Sequence, residues 1–206
     1  MLCDMGEGCS LSHGLPAPHG GGFNERLVAV VPTSDRAPTI VVSNQKGGVG
    51  KTTTCINLAA ELGRCDYSVL AVDMDPQANC TSGLGVNAST LSKSLYNVLL
   101  GDIPMREAIL GTAWEGISLL PSSLDLAGAE IELASAISRE SKLKRQLEQL
   151  EGFDVVLIDC PPSLGILTLN ALTACDRLLV PIQCEYYALE GVGQLVRTVD
   201  LVRDSL

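Results

Sequence analysis

One string constrains this chain more than any other: Lys46-Gly47-Gly48-Val49-Gly50-Lys51-Thr52-Thr53, set between an unbroken β-branched run, Thr39-Ile40-Val41-Val42-Ser43, and a segment of helical spacing. Glycines let consecutive backbone N–H groups turn inward around an anion without Cβ obstruction. The helix that follows adds the partial positive charge of its N-terminus. In such a loop Lys51 is expected to reach the β- and γ-phosphates of a nucleotide, and the Thr52 hydroxyl to reach Mg²⁺. At average residue usage the pattern K-G-G-x-G-K-[ST] within it arises by chance roughly 10⁻⁷ times per start position. The glycine that the usual pattern places five residues before Gly50 is replaced by Gln45, and a second lysine, Lys46, opens the loop. A lysine at the rim is placed to reach a nucleotide in a facing subunit, where an external cation in phosphoryl transfer is worth ~10³–10⁵ in rate. The plain alternative is a solvent-exposed charge.

The rest of the chain repeats the same alternation. Ser68–Val72, Ile117–Leu120, Val155–Ile158 and Arg177–Val180 are short apolar runs with no alternation, as expected of strands buried on both faces. Helical spacing fits Thr52–Arg64, Leu95–Leu100, Met105–Leu110, Leu126–Leu150 in one or two pieces, and Ile166–Ala174. Strands alternating with helices predict an α/β fold, a mostly parallel sheet flanked by helices on both faces. Residues 1–37 are rich in Gly and Pro without apolar period and are expected to form an unordered tail; 38–206 form the folded domain. The polar connection Asp75–Ser94 is expected to be functional or mobile.

Ligands on such sheets bind at the carboxyl ends of the strands. There the sequence places Asp73 and Asp75 after the second run, and Asp159 after the fourth. An aspartate beside a phosphate loop is the expected partner of Mg²⁺, directly or through water. Asp75 can instead orient the attacking water, and either site can simply cap a helix.

Composition removes several classes. The 206 residues carry a net charge of −10, and aromatics make up only 3%. That is too few for a base-stacking platform and the wrong sign for a whole-surface nucleic-acid binder. No apolar stretch reaches the ~18–20 residues of a membrane span, and Asp4 and Glu7 occupy the basic region of a signal peptide. A soluble, cytoplasmic protein is expected. The eight cysteines form no C-x-x-C and are expected to be reduced packing residues.

At Ser43–Thr53, Asp73-Met74-Asp75-Pro76-Gln77-Ala78-Asn79, Leu120-Pro121 with Leu124–Glu130, Asp159–Gly165 and Pro181–Gly191, the chain resembles the ParA/Soj chromosome-partitioning ATPases of the deviant Walker A class. The resemblance runs from about Thr39 to the end. It implies a P-loop NTPase fold using ATP and Mg²⁺, with residues Lys46, Gly47, Gly48, Val49, Gly50, Lys51, Thr52 and Thr53 holding ATP. It also implies metal contacts through Thr52 and Asp159, the Walker B acid, and a hydrolytic role for Asp75 beside Lys46 and Lys51. The family further implies an ATP-sandwich homodimer in which Lys46 reaches the partner's phosphates. That dimer binds double-stranded DNA of the nucleoid without sequence preference, and a ParB-like centromere-binding protein stimulates its hydrolysis. Arg197 and Arg203 on the last helix are candidate DNA contacts, or an ordinary solvated face. Family members continue well past the position of Leu206, so a truncated chain is expected, with apolar faces and a sheet edge uncovered. Three other readings stand beside the partitioning switch: a MinD-like membrane-surface ATPase, an iron–sulfur ATPase and an inactive truncated remnant. The first would need a basic amphipathic C-terminal helix, where this chain has Asp200 and Asp204. The second would need two cysteines meeting at a dimer face.

Overall fold

Side chains alternate across a strand, so an apolar run without polar gaps fills two cores at once. The computed structural model, which describes residues 2–4, 36–183 and 188–205, has this organisation. The strands are β1 (Leu2–Asp4), β2 (Thr39–Val42), β3 (Val69–Asp73), β4 (Leu110–Gly111), β5 (Ile117–Leu120), β6 (Val155–Asp159) and β7 (Arg177–Leu179). They form one sheet in the order β1-β7-β2-β6-β3-β5-β4. The five central strands are parallel, and β1 and β4 are antiparallel edges.

The helices are α1 (Lys51–Arg64), α2 (Asn79–Gly83), α3 (Leu95–Leu100), α4 (Leu126–Glu132), α5 (Lys142–Leu147), α6 (Ile166–Ala174) and α7 (Ala188–Ser205). Val42, Val69, Ala71, Leu119 and Leu157 face Cys55 and Ala59 of α1 and Cys80 of α2. Val41, Leu70, Val72, Leu120, Val156 and Ile158 face α3 to α7. Gly63, near the end of α1, is required by close approach: a Cβ there would lie 2.7 Å from the Glu115 carbonyl oxygen.

Four expectations are corrected. Met105–Leu110 is not a helix. Pro104 leads into a single 3₁₀ turn over Met105–Glu107 that buries Met105, and Leu110–Gly111 then pairs with β5. Leu126–Leu150, by contrast, forms two helical pieces as expected, α4 and α5, separated by two 3₁₀ turns, with Ser138 in the left-handed region at φ 51°. Within the expected tail, Leu2–Asp4 pairs with β7, whose outer backbone groups accept a strand of almost any sequence; residues 5–35 lie outside the described residues. The edge expected to be bare is therefore paired. The apolar face expected to be bare is also largely covered, because Leu195, Val199 and Val202 of α7 are buried in the core, leaving Leu201 outward. The resemblance around Cys184–Tyr187 likewise falls outside the described residues. Among the described residues no helix is long and apolar enough to cross a membrane, and Cys55, Cys65, Cys80, Cys160 and Cys175 are free.

Candidate active site

The loop between β2 and α1 is shaped by two left-handed glycines, Gly48 at φ 73° and Gly50 at φ 90°. Only glycine takes such angles without strain. A Cβ at Gly47, Gly48 or Gly50 would meet nothing within 4 Å, so the cradle is open on its inner side. The loop is fixed from behind. Asn44 accepts a hydrogen bond from the Lys46 backbone N–H (3.0 Å) and donates to the Pro181 carbonyl (2.8 Å). Gln183 donates to the Gly48 carbonyl (3.2 Å). Lys51 folds back and donates its Nζ to the Lys46 carbonyl (3.2 Å).

The cradle is one wall of an open cleft of about 510 Å³, within the ~300–1,000 Å³ typical of small-molecule sites. Besides Gly47, Gly48, Gly50 and Lys51–Thr53 of the loop and first helical turn, it is lined by Asp75, Gln77, Asn79 and Pro162. The sequence-predicted Lys51, Thr52, Thr53 and Asp75 are thus brought together. Gln77, Asn79 and Pro162 were not singled out as site residues, although all three lie in the strings that carry the family resemblance. Val49 is buried beneath the loop and Lys46 is half-buried at its rim. Arg197 and Arg203 lie on α7; six residues on a helix rotate by about 240°, so the two do not share a stripe.

Three carboxylates and one ammonium meet here, Asp75 and Lys51 lining the cleft and Asp73 and Asp159 buried outside its lining. Asp159 is fully buried at the end of β6, and both of its oxygens lack a hydrogen-bond partner of normal geometry. Burial pushes its carboxyl up to about 7; the nearby Thr52 hydroxyl and Lys51 favour the charged form, and Asp73 and Asp75 oppose it. Burial also raises Asp73 to about 6, against the hydrogen bonds it accepts from Thr81 and from the Asp75 backbone. Burial lowers the Lys51 ammonium, while Asp159 and Asp75 pull it back up. A buried carboxylate with unused lone pairs beside a threonine hydroxyl is a donor set that fits a hard divalent cation. Asp75, 8% exposed, accepts from the Gln77 N–H (2.9 Å) and stands at the cleft wall.

A phosphate loop at the head of the first helix, and an aspartate at the end of the strand beside it, define a P-loop nucleoside-triphosphatase fold. Residues 37–206 match the AAA domain family, and the chain belongs to that family. It is 52% identical over 168 residues to the sporulation initiation inhibitor protein Soj of Bacillus subtilis, a match covering 81% of this chain and 66% of the relative. It is 51% identical to the chromosome partitioning protein ParA of Myxococcus xanthus, covering 81% of this chain and 59% of that one. The chain thus spans about two thirds or less of the length of these relatives. Among solved structures, a cobyrinic acid a,c-diamide synthase from Mycobacterium smegmatis with bound ATP analog and magnesium superposes with a TM-score of 0.78. It is 49% identical, over 82% of this chain and 69% of that one. A plasmid partition protein from Borrelia burgdorferi superposes at 0.72 with 30% identity, over 81% and 75% of the two chains.

Proposed function

We propose that this chain is the nucleotide-binding part of a partitioning-type ATPase, a switch set by ATP binding and reset by hydrolysis. The observation that carries the reading is Asp159: a fully buried carboxylate with both oxygens unpartnered, next to Thr52 and beneath an open glycine cradle. The inward N–H groups of the loop and Lys51 would hold the phosphates of ATP, and Thr52 and Asp159 would hold Mg²⁺. Bound there, the cation neutralises charge developing on the transferred phosphoryl group. Asp75 would orient the attacking water. Lys51 has to leave the Lys46 carbonyl to reach a phosphate, exchanging a neutral acceptor for a charged one, which is the stronger bond.

Similarity to Soj and ParA supports the partitioning reading: Lys46 of one copy reaching the nucleotide of another in an ATP-dependent homodimer, non-specific binding of duplex DNA at the nucleoid, and stimulation by a ParB-like protein. A net charge of −10 suits binding that is switched on by dimer formation rather than permanent. The test is thermal unfolding with and without Mg-ATP. At 100-fold over Kd a working site stabilises the protein by about 2.7 kcal/mol, and Lys51→Ala at the same ATP concentration cuts the shift at least to about half. An equal shift in Lys51→Ala would reject the site. ATP-dependent, salt-sensitive retention on non-specific duplex DNA tests the switch itself.

A further inference from the structure

Thr81 lies outside the cleft and outside every motif discussed above. It is fully buried on α2, and its hydroxyl does two things at once. It donates to Asp73 Oδ2 (2.7 Å) and accepts from the Ser122 backbone N–H (3.0 Å) in the loop after β5. Asp73 collects two further donors, the Thr81 N–H on Oδ2 (2.7 Å) and the Asp75 N–H on Oδ1 (3.1 Å). The segment between them is strained: Ala78 holds φ 54° without being glycine, a conformation that persists only where the surroundings enforce it. Cys80 is buried against the α1 core, which leaves the Asp75–Asn79 bend pinned at both ends.

We infer that Thr81, acting through Asp73, is the positioning residue that holds Asp75 against the phosphate loop. This rests on the hydrolytic role proposed for Asp75. The carboxylate of Asp73 is an acceptor shared by the residue that lines the cleft and the helix that follows it, and the Thr81 hydroxyl ties that pair to the loop after β5. Neither Asp73 nor Thr81 lines the cleft, so their loss acts on the placement of Asp75 and not on nucleotide contacts.

The test compares Thr81→Val, Thr81→Ser and Asp75→Ala in the 206-residue chain, with Thr81→Ala standing in if the valine variant does not fold. The first readout is backbone amide exchange in nucleotide-free protein. Thr81→Val is expected to speed exchange at Asp75 and Thr81 at least tenfold while β6 is unchanged, and Thr81→Ser to restore both. The second is ATP turnover, where Thr81→Val lowers kcat at least tenfold with KM within twofold, again rescued by serine. Unchanged exchange in a folded Thr81→Val or Thr81→Ala overturns the inference. So does a loss of kcat matched by an equal rise in KM, or a serine variant that fails to rescue. If Asp75→Ala turns over like the wild type, the hydrolytic role falls while the exchange result still decides what Thr81 holds. A chain without measurable turnover leaves exchange as the deciding readout.

Discussion

Asp73 and Asp159 stand directly opposite one another, at the carboxyl ends of the neighbouring parallel strands β3 and β6, and both are fully buried. They are not equivalent. Asp73 accepts three hydrogen bonds from its own loop and helix, whereas Asp159 accepts none of normal geometry. The same two-residue row therefore holds one carboxylate committed to structure and one kept open for a ligand.

The first prediction concerns pH. Both carboxyls have folded values above their ordinary 3.8, about 6 for Asp73 and about 7 for Asp159. The folded state then holds protons that the unfolded chain has already released. Their contribution is most favourable below pH ~4 and is lost as pH rises to about 7. Asp159→Asn should stabilise the ligand-free protein at pH 8 by on the order of 1–3 kcal/mol and flatten the slope between pH 5 and 7. Urea unfolding across that range checks it, and an asparagine variant less stable than wild type at pH 8 contradicts it. The same variant should lose the stabilisation that Mg²⁺ gives the wild type.

Lys51→Ala removes a charge-assisted contact to phosphate worth about 1.5–3 kcal/mol, or roughly 10- to 150-fold in ATP affinity. Titration calorimetry with Mg-ATP measures it. A loss below threefold would place the phosphates elsewhere.

Lys46→Ala should leave ATP affinity within a few-fold of wild type and weaken the ATP-dependent dimer. Light scattering coupled to size-exclusion chromatography, with ATP and with ADP, separates the two effects. An undiminished ATP-dependent dimer removes Lys46 from the interface.

Gly63→Ala reverses an ordinary rule. Alanine inside a helix normally gains about 1 kcal/mol over glycine, but here the added Cβ sits 2.7 Å from the Glu115 backbone oxygen. Destabilisation of about 1–3 kcal/mol is expected from the overpacked contact, and a raised melting temperature would show that α1 can move away.

Ala78→Gly is the converse case. At φ 54° the alanine carries a left-handed strain of about 1–2 kcal/mol, which offsets the greater entropy that glycine loses on folding. Stability should hold or rise in chemical denaturation, where a position of ordinary φ would lose stability.

The parallel strands were readable because each is a run such as Val69-Leu70-Ala71-Val72, which suits nothing but a position covered on both sides. That Lys51, Thr52 and Asp75 would meet in one cleft was readable because ligands on such a sheet gather at the carboxyl ends of its strands. The short edges were not. Leu2–Asp4 and Leu110–Gly111 are held by backbone pairing to β7 and β5, which leaves almost no trace in side-chain pattern. Helical spacing at Met105–Leu110 misled because Met105 and Ala108, both buried, are served equally well by one tight turn. Thr81 was invisible for another reason. Its partners, Asp73 and Ser122, are brought to it by the fold, and no period connects them.

The pairing of Leu2–Asp4 with β7 joins two segments far apart in the chain, with Leu2 opposite Leu179 and Asp4 opposite Arg177. Until β7 has been synthesised and docked on β2, Leu2–Asp4 have no strand to bind. The last seam of the sheet to close is thus the one farthest apart in synthesis, and the nascent domain must mature around an unsealed margin.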